Sequence, residues 1–196
     1  MRKFRIAIAA SILLLAGMVG WLATEINRSQ RNLSDQPFGV AFALTGQDEQ
    51  PITEQALRGR PALIFFGFTH CPEICPTTLY EMDGWLKEAD PAGDKVRAFF
   101  VTVDPERDTP EVLAEYVPAM SDRVFGITGE PAEIERVLKG YRVYARRVPT
   151  EDGEYTMDHT AAVYLLDGQG RFRGTISYGE EAESAISKIR DLIGKG

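Results

Sequence analysis

Two stretches of the chain are almost wholly apolar. Pro61 to Phe68 (PALIFFGF) and Val96 to Val103 (VRAFFVTV) have the pattern of strands covered on both faces. Between and after them the apolar spacing is helical. Leu79, Met82 and Leu86 keep it between the two runs. Leu113, Tyr116, Val117 and Met120 keep it in a helix opening at Pro110. Ile134, Val137, Leu138 and Tyr141 keep it in another that opens at Pro131 and ends at Gly140. Ala161 to Leu166 and Arg171 to Ser177 flank Asp167-Gly168-Gln169-Gly170 and predict a hairpin. A last helix is predicted from about Glu180 to Ile193, with acids first and bases last. Its inward face is Ala182, Ala185, Ile186, Ile189 and Ile193, and Glu180, Glu181 and Glu183 form a solvated start. Phe65, Phe66, Phe99 and Phe100 read as core residues rather than a stacking platform.

Strand–helix–strand–helix followed by a hairpin and a helix is a thioredoxin-like α/β order, a central sheet flanked by helices. It fits one domain, residues 38–196, without internal repeats. Ahead of it lies a different pattern. Ile6 to Ala23 carries no charge, and Arg2, Lys3 and Arg5 stand just before it. Its length at about 1.5 Å per residue approaches the ~30 Å hydrocarbon core of a bilayer. Residues 1–23 are therefore expected to be a single membrane anchor with a short cytoplasmic end. Trp21 and Leu22 spoil the small-residue registers that cleavage of a signal peptide needs near Ala23. Thr24 to Pro37 is polar and unpatterned, suited to a tether.

Composition narrows the class. The chain has 196 residues, 44% hydrophobic and 26% charged, which excludes a disordered, collagenous or coiled-coil protein. The net charge is −7, and without the three basic residues at the N-terminus the remainder is more acidic still. Binding to nucleic acid by phosphate neutralisation is not expected. Cys71 and Cys75 are the only cysteines, too few for a disulfide-stapled mini-fold or a four-cysteine zinc site.

Both cysteines lie where the first apolar run gives way to a helix, in Gly67-Phe68-Thr69-His70-Cys71-Pro72-Glu73-Ile74-Cys75-Pro76. With helix beginning inside this segment, residues four apart share a face, and two thiolates can grip one soft ion from one side. A helix N-terminus also favours the thiolate. Pro72 and Pro76 suggest that both cysteines sit in an exposed, rigid turn. Further donors are few: His70, His159, Met157 and the carboxylates. His70 adjoins Cys71 and points elsewhere. His159 lies in the loop entering a later strand, a loop that faces the cysteine turn in a thioredoxin-like fold. It is the better third ligand, with Asp158 beside it as a group that could tune the imidazole. Met157 reads as packing. Two thiolates and one imidazole favour copper, especially trigonal Cu(I), over zinc. Asp104-Pro105-Glu106-Arg107-Asp108-Thr109-Pro110 reads as a turn that caps a helix, with Thr109 at the N-cap.

Three ordered motifs, Phe66 to Thr77, Val101 to Pro110 and Asp158-His159-Thr160, resemble the Sco/SenC family over nearly the whole chain. The resemblance implies a thioredoxin-like copper protein that helps to assemble the binuclear copper centre of cytochrome c oxidase. By motif match, Cys71, Cys75 and His159 correspond to the family's copper ligands, for Cu(I), Cu(II) or both, one ion per domain. Its partner is then the copper-accepting oxidase subunit, with another copper chaperone or a thiol reductant upstream. The alternative role is a thiol–disulfide oxidoreductase that reduces the acceptor's cysteines through redox-active Cys71 and Cys75. Three residues between the cysteines, not two, count against a general thioredoxin-like enzyme. The lead-in of a peroxiredoxin is missing. A short anchor without a long transit-like extension favours a bacterial inner membrane, with the soluble domain in the periplasm, over a mitochondrial one.

Overall fold

The computed structural model describes residues 14–26 and 37–194. The chain divides into two units at Gln36/Pro37. In the first, residues 14–26 are helical and exposed, so helix continues into the expected tether, where the Thr24 hydroxyl donates to the Trp21 carbonyl (2.7 Å). The opening of the expected anchor, residues 1–13, and residues 27–36 lie outside the described residues. Among the described residues no helix is long and apolar enough to cross a membrane.

The second unit is built on a seven-stranded sheet. Its strands are β1 (Ala43–Gly46), β2 (Pro51–Thr53), β3 (Ala62–Gly67), β4 (Arg97–Thr102), β5 (Val124–Thr128), β8 (Ala162–Leu166) and β9 (Phe172–Ser177), in the order β2-β1-β5-β4-β3-β8-β9. β3, β4 and β5 run parallel at the centre, and β1, β8 and β9 pair antiparallel outside them. β6 (Ala145–Pro149) and β7 (Tyr155–His159) form a separate hairpin. The helices are α1 (Ile74–Ala89), α2 (Pro110–Met120), α3 (Pro131–Gly140) and α4 (Ala182–Gly194). α1 packs against α2 and α4. This is the expected central sheet flanked by helices.

The apolar runs become β3 and β4 because both faces are covered: every residue of β3 is buried, and all of β4 but Arg97. Phe65 and Phe100 pack with tilted rings on one face (6.0 Å between ring centroids), with Tyr116 of α2 against Phe100. Phe66 points the other way, onto Tyr141 and Tyr164. α2 starts as its sequence predicts: Pro110 opens it and the Thr109 hydroxyl accepts from the Val112 N–H (3.4 Å). Gly39 is a packing necessity, since it holds φ +94° and a Cβ there would stand 2.3 Å from the Tyr141 ring.

Several elements differ from expectation. β1, β2, β5 and the β6–β7 hairpin carry no clear apolar alternation. α4 buries Ala185, Ile186, Ile189 and Leu192, leaving Ala182 exposed, and its last turn holds no basic residue. Glu180 is not a solvated helix start. It accepts from the Ser177 N–H, the Ser184 hydroxyl and Lys188, and so ties β9 to α4.

The β8–β9 turn is organised by one buried carboxylate. Asp167 accepts from the Gln169 and Arg171 N–H groups and pairs with Arg171 (2.8 Å) and Arg173 (2.6 Å). Burial opposes its charge, but these bonds together hold its carboxyl below the usual carboxylate range. The stabilisation is therefore complete above the unfolded pKa of about 3.9 and fades as pH falls through the lower folded value. Asp167→Asn should cost about 3 kcal/mol at pH 7 in urea unfolding of the full chain, as expected for breaking a buried pair. The gap from the unsubstituted chain should narrow as the pH falls below about 4. An equal gap at both ends of that range would contradict this role.

Candidate metal centre

β3 delivers the chain to the site at Gly67. The turn after it is closed by the Cys71 N–H on the Phe68 carbonyl (3.3 Å), and α1 begins at Ile74. Glu73 stands at the N-cap but makes no side-chain cap bond. The Cys71 sulfur fills that role, accepting the Cys75 N–H at 3.3 Å. Cys71 thus precedes the helix rather than sharing a helical face with Cys75. The prolines do not expose both cysteines: Cys71 is half-buried and Cys75 is 0% exposed. The first turn of α1 presses Cys75 against the sheet, and Gly67 makes room for it. A Cβ at Gly67 would stand 3.0 Å from the Cys75 sulfur and 2.7 Å from the Phe100 ring.

His159 is the last residue of β7, opposite Ala145, rather than a loop residue. Its Nε2 lies 3.6 Å from the Cys75 sulfur. The ring sits edge-on to Phe68 (5.7 Å between centroids) and near Phe65 (6.3 Å). Its Nδ1 stands 3.1 Å from the Thr160 carbonyl. In the tautomer that donates its Nδ1 proton there, Nε2 is free to ligate a metal. Asp158 does not tune this ring: it meets the Tyr144 hydroxyl (3.4 Å) and Arg146 (3.9 Å) instead. Thr160 takes the orienting role. His70 is exposed and its Nδ1 meets the Thr69 hydroxyl (3.1 Å). Met157 packs half-buried against the core.

Two acids of the capping turn do more than cap. Asp108 is fully buried and accepts from the Thr69 N–H (3.2 Å), the Thr69 hydroxyl (2.6 Å) and the Thr102 hydroxyl (2.5 Å). It therefore fastens the start of the cysteine turn to the end of β4, although burial pushes its carboxyl up. Asp104, also buried, accepts from the Tyr155 hydroxyl (2.9 Å) and from Arg107 (2.5 Å). Arg107 and Arg147 lie over the Tyr155 ring at 3.7 and 4.1 Å. This clamp fixes the strand that ends in His159. The apolar spacing of the sequence carried no signal for it, because its members are polar and far apart along the chain.

The two thiols are driven apart in acidity. Hydrogen bonding from the Cys75 thiol, then from the His159 ring and the Cys75 and Glu73 N–H groups, outweighs burial and brings Cys71 down to about 4. The same sulfur contact, with burial, pushes Cys75 up. Burial also pushes the Tyr116 phenol up, with the cysteines and Asp108 adding to the effect, and its hydroxyl is buried without a partner. One thiolate, one thiol and one imidazole thus meet at a half-buried point. With metal–sulfur of about 2.3 Å and metal–nitrogen of about 2.0 Å, a sulfur and a nitrogen of a trigonal site stand ~3.7 Å apart. The Cys75–His159 edge has that length. Among the described residues no group of three His, Cys, Asp or Glu side chains already stands in a closed metal-binding arrangement.

Residues 30–194 match the family model described as SCO1/SenC. The chain is 35% identical over 158 residues to the protein SCO2, mitochondrial, of Saccharomyces cerevisiae, covering 79% of this chain and 52% of that protein. It is 34% identical over 198 residues to the mitochondrial SCO2 homolog of Bos taurus, covering 95% and 74%. The chain thus spans about half the length of the yeast relative. Among solved structures it is similar to Bradyrhizobium japonicum ScoI with copper bound: 45% identity, TM-score 0.73, 79% of this chain and 99% of that one. Yeast Sco1 with copper bound gives 31% identity and a TM-score of 0.75 over 82% and 91%. A family model that spans most of the chain, relatives above 30% identity and solved structures of similar fold lead to one conclusion: this chain belongs to the SCO1/SenC family.

Proposed function

We propose that the chain is a copper metallochaperone. Cys71, Cys75 and His159 hold one copper ion per domain, and the ion passes by ligand exchange to the copper-accepting subunit of cytochrome c oxidase for its binuclear centre. The observation that carries this reading is the convergence of the Cys71 thiolate, the Cys75 sulfur and the His159 Nε2, with 3.6 Å between the last two. Two relatives of the same fold are described as copper-bound. A soft dithiolate with one imidazole suits Cu(I), and the nitrogen also accommodates Cu(II).

A second reading draws on the split acidity of the thiols. A thiolate at Cys71 beside a protonated Cys75 is a nucleophile next to a resolving thiol, the pair that disulfide exchange needs. In that reaction the Cys71 thiolate attacks a disulfide of the acceptor subunit. Cys75 then displaces it, and the acceptor leaves reduced while Cys71 and Cys75 form a disulfide. A thiol reductant must then restore them. The imidazole is not needed for this exchange, and that difference separates the two roles.

The anchored form is part of the proposal. Residues 6–23 hold the domain at a bacterial inner membrane, with residues 24–37 as tether and residues 38–196 in the periplasm. The uncharged stretch behind Arg2, Lys3 and Arg5 supports it. The named mitochondrial relatives make the mitochondrial inner membrane the alternative.

Two outcomes follow. Reduced full-length protein should retain one copper per chain, and His159→Ala should weaken retention at least about tenfold while both thiols still titrate and close to a disulfide. Oxidase copper insertion should fail in cells carrying His159→Ala; normal insertion there would leave the reductase role in its place. N-terminal sequencing of protein purified from membranes should recover the original terminus, and a chain beginning near Thr24 would rule out the anchor.

A further inference from the structure

The far end of the central strands carries a second feature that the copper chemistry does not use. β3, β4 and β5 run parallel, with Ala62 opposite Arg97 and Ala98 opposite Val124. Arg60 shortly before β3, Arg97 at the start of β4 and Arg123 just before β5 therefore gather at one end of the sheet. A strand of six residues at about 3.3 Å each separates them from the cysteine turn by roughly 20 Å. The three arginines line a cleft of about 360 Å³, with Leu86, Phe99 and Phe125 among its apolar walls.

All three arginines are half-buried residues, and none forms an ion pair among the described residues. Each is held by main-chain carbonyls instead. Arg60 donates to the Asp94 carbonyl (2.7 Å), Arg97 to that of Ala56 (2.8 Å), and Arg123 to those of Asp90 (3.2 Å) and Pro91 (3.0 Å). The carboxylates of Asp90 and of Asp122, which lines the cleft, are engaged by other groups. Asp90 accepts the Gly93, Lys95 and Val96 N–H groups, and Asp122 pairs with Lys87 (3.2 Å). Three like charges thus face one cleft in a chain whose net charge is −7. Each guanidinium has five N–H donors and spends only one or two on the protein. The carbonyl braces fix the forks, and the aromatic wall lowers the local dielectric. Three braced forks against one carboxylate, that of Asp122, which also lines the cleft and is shared with Lys87, suit a tetrahedral oxyanion that takes several N–H donors at once.

We infer that the Arg60–Arg97–Arg123 cleft binds a phosphate group, from free phosphate or from a phospholipid headgroup. Because it lies at the opposite end of the strands, the site operates independently of the cysteines. An anion seated there would cross-link three strand entrances that the main chain joins only by sheet pairing.

The test uses the reduced full-length chain in neutral detergent at low salt, titrated with inorganic phosphate and, separately, with short-chain phosphatidylglycerol below its micelle concentration. Saturable one-site binding is expected, with the largest amide and arginine Nε shifts in NMR at Arg60, Arg97 and Arg123. Arg97→Gln and Arg123→Gln should each weaken it about tenfold or more while copper uptake stays unchanged. Tighter binding of inorganic phosphate assigns the cleft to the free anion, and tighter binding of the phosphodiester assigns it to the lipid headgroup. Shift mapping on the unsubstituted chain decides the matter even where a variant fails to fold. No saturable binding of either probe, or shifts confined to residues outside the cleft, would overturn the inference.

Discussion

The hydrogen bond from the Cys75 N–H to the Cys71 sulfur is the interaction on which the site depends. α1 opens with no acidic residue in its first turn, and Glu73 leaves its first N–H groups uncapped. A sulfur that accepts one of them acts as the helix cap, and the helix dipole, equivalent to about half a positive charge, stabilises the thiolate form. The bond also sets the order of the two sulfurs. Cys71 stays half-open to solvent, while Cys75 turns inward over Gly67, where only a hydrogen atom leaves it space. One reactive sulfur and one sheltered sulfur result from a single local arrangement.

The third donor arrives from a different level of structure. His159 ends a two-stranded hairpin that is separate from the seven-stranded sheet, whereas the cysteines stand at the start of α1. Phe65 and Phe68 hold the ring from the side of the cysteines. Tyr155, gripped by Asp104, Arg107 and Arg147, holds the strand that carries it.

Much of this was legible in the sequence, for reasons that can be named. β3, β4 and the helices α1 to α3 declare themselves because their apolar residues follow the period of the element. The cysteine pair and His159 stand out by residue type and by the order of the motifs. Burial was harder to read. Pro72 and Pro76 suggested an exposed turn, yet Cys75 is the inward residue of a first helical turn, and that depends on Gly67 lying beneath it. Asp104 and Asp108 looked like the acids of a capping turn. Their burial follows from β3 and β4 ending side by side, with Gly67 opposite Thr102, which no local pattern records. The β6–β7 hairpin escaped notice because Arg146, Arg147, Thr156 and Asp158 give it no apolar alternation. Asp158 was the plausible partner of His159 by adjacency, but neighbours in a strand point to opposite faces, and the Thr160 carbonyl is what the ring reaches.

Cys71 is held as a thiolate chiefly by the hydrogen bond from the Cys75 thiol, with the capping N–H of α1 adding to it. The most direct measurement is the pH dependence of iodoacetamide alkylation of the reduced full-length chain, with peptide mapping to assign each cysteine. An ordinary thiol of pKa about 8.5 would react roughly 75-fold more slowly at pH 6 than at pH 8. Cys71 should react at nearly the same rate at both, and Cys75 should stay unmodified. A steep rise in the Cys71 rate between pH 6 and pH 8, or preferential modification of Cys75, would contradict it.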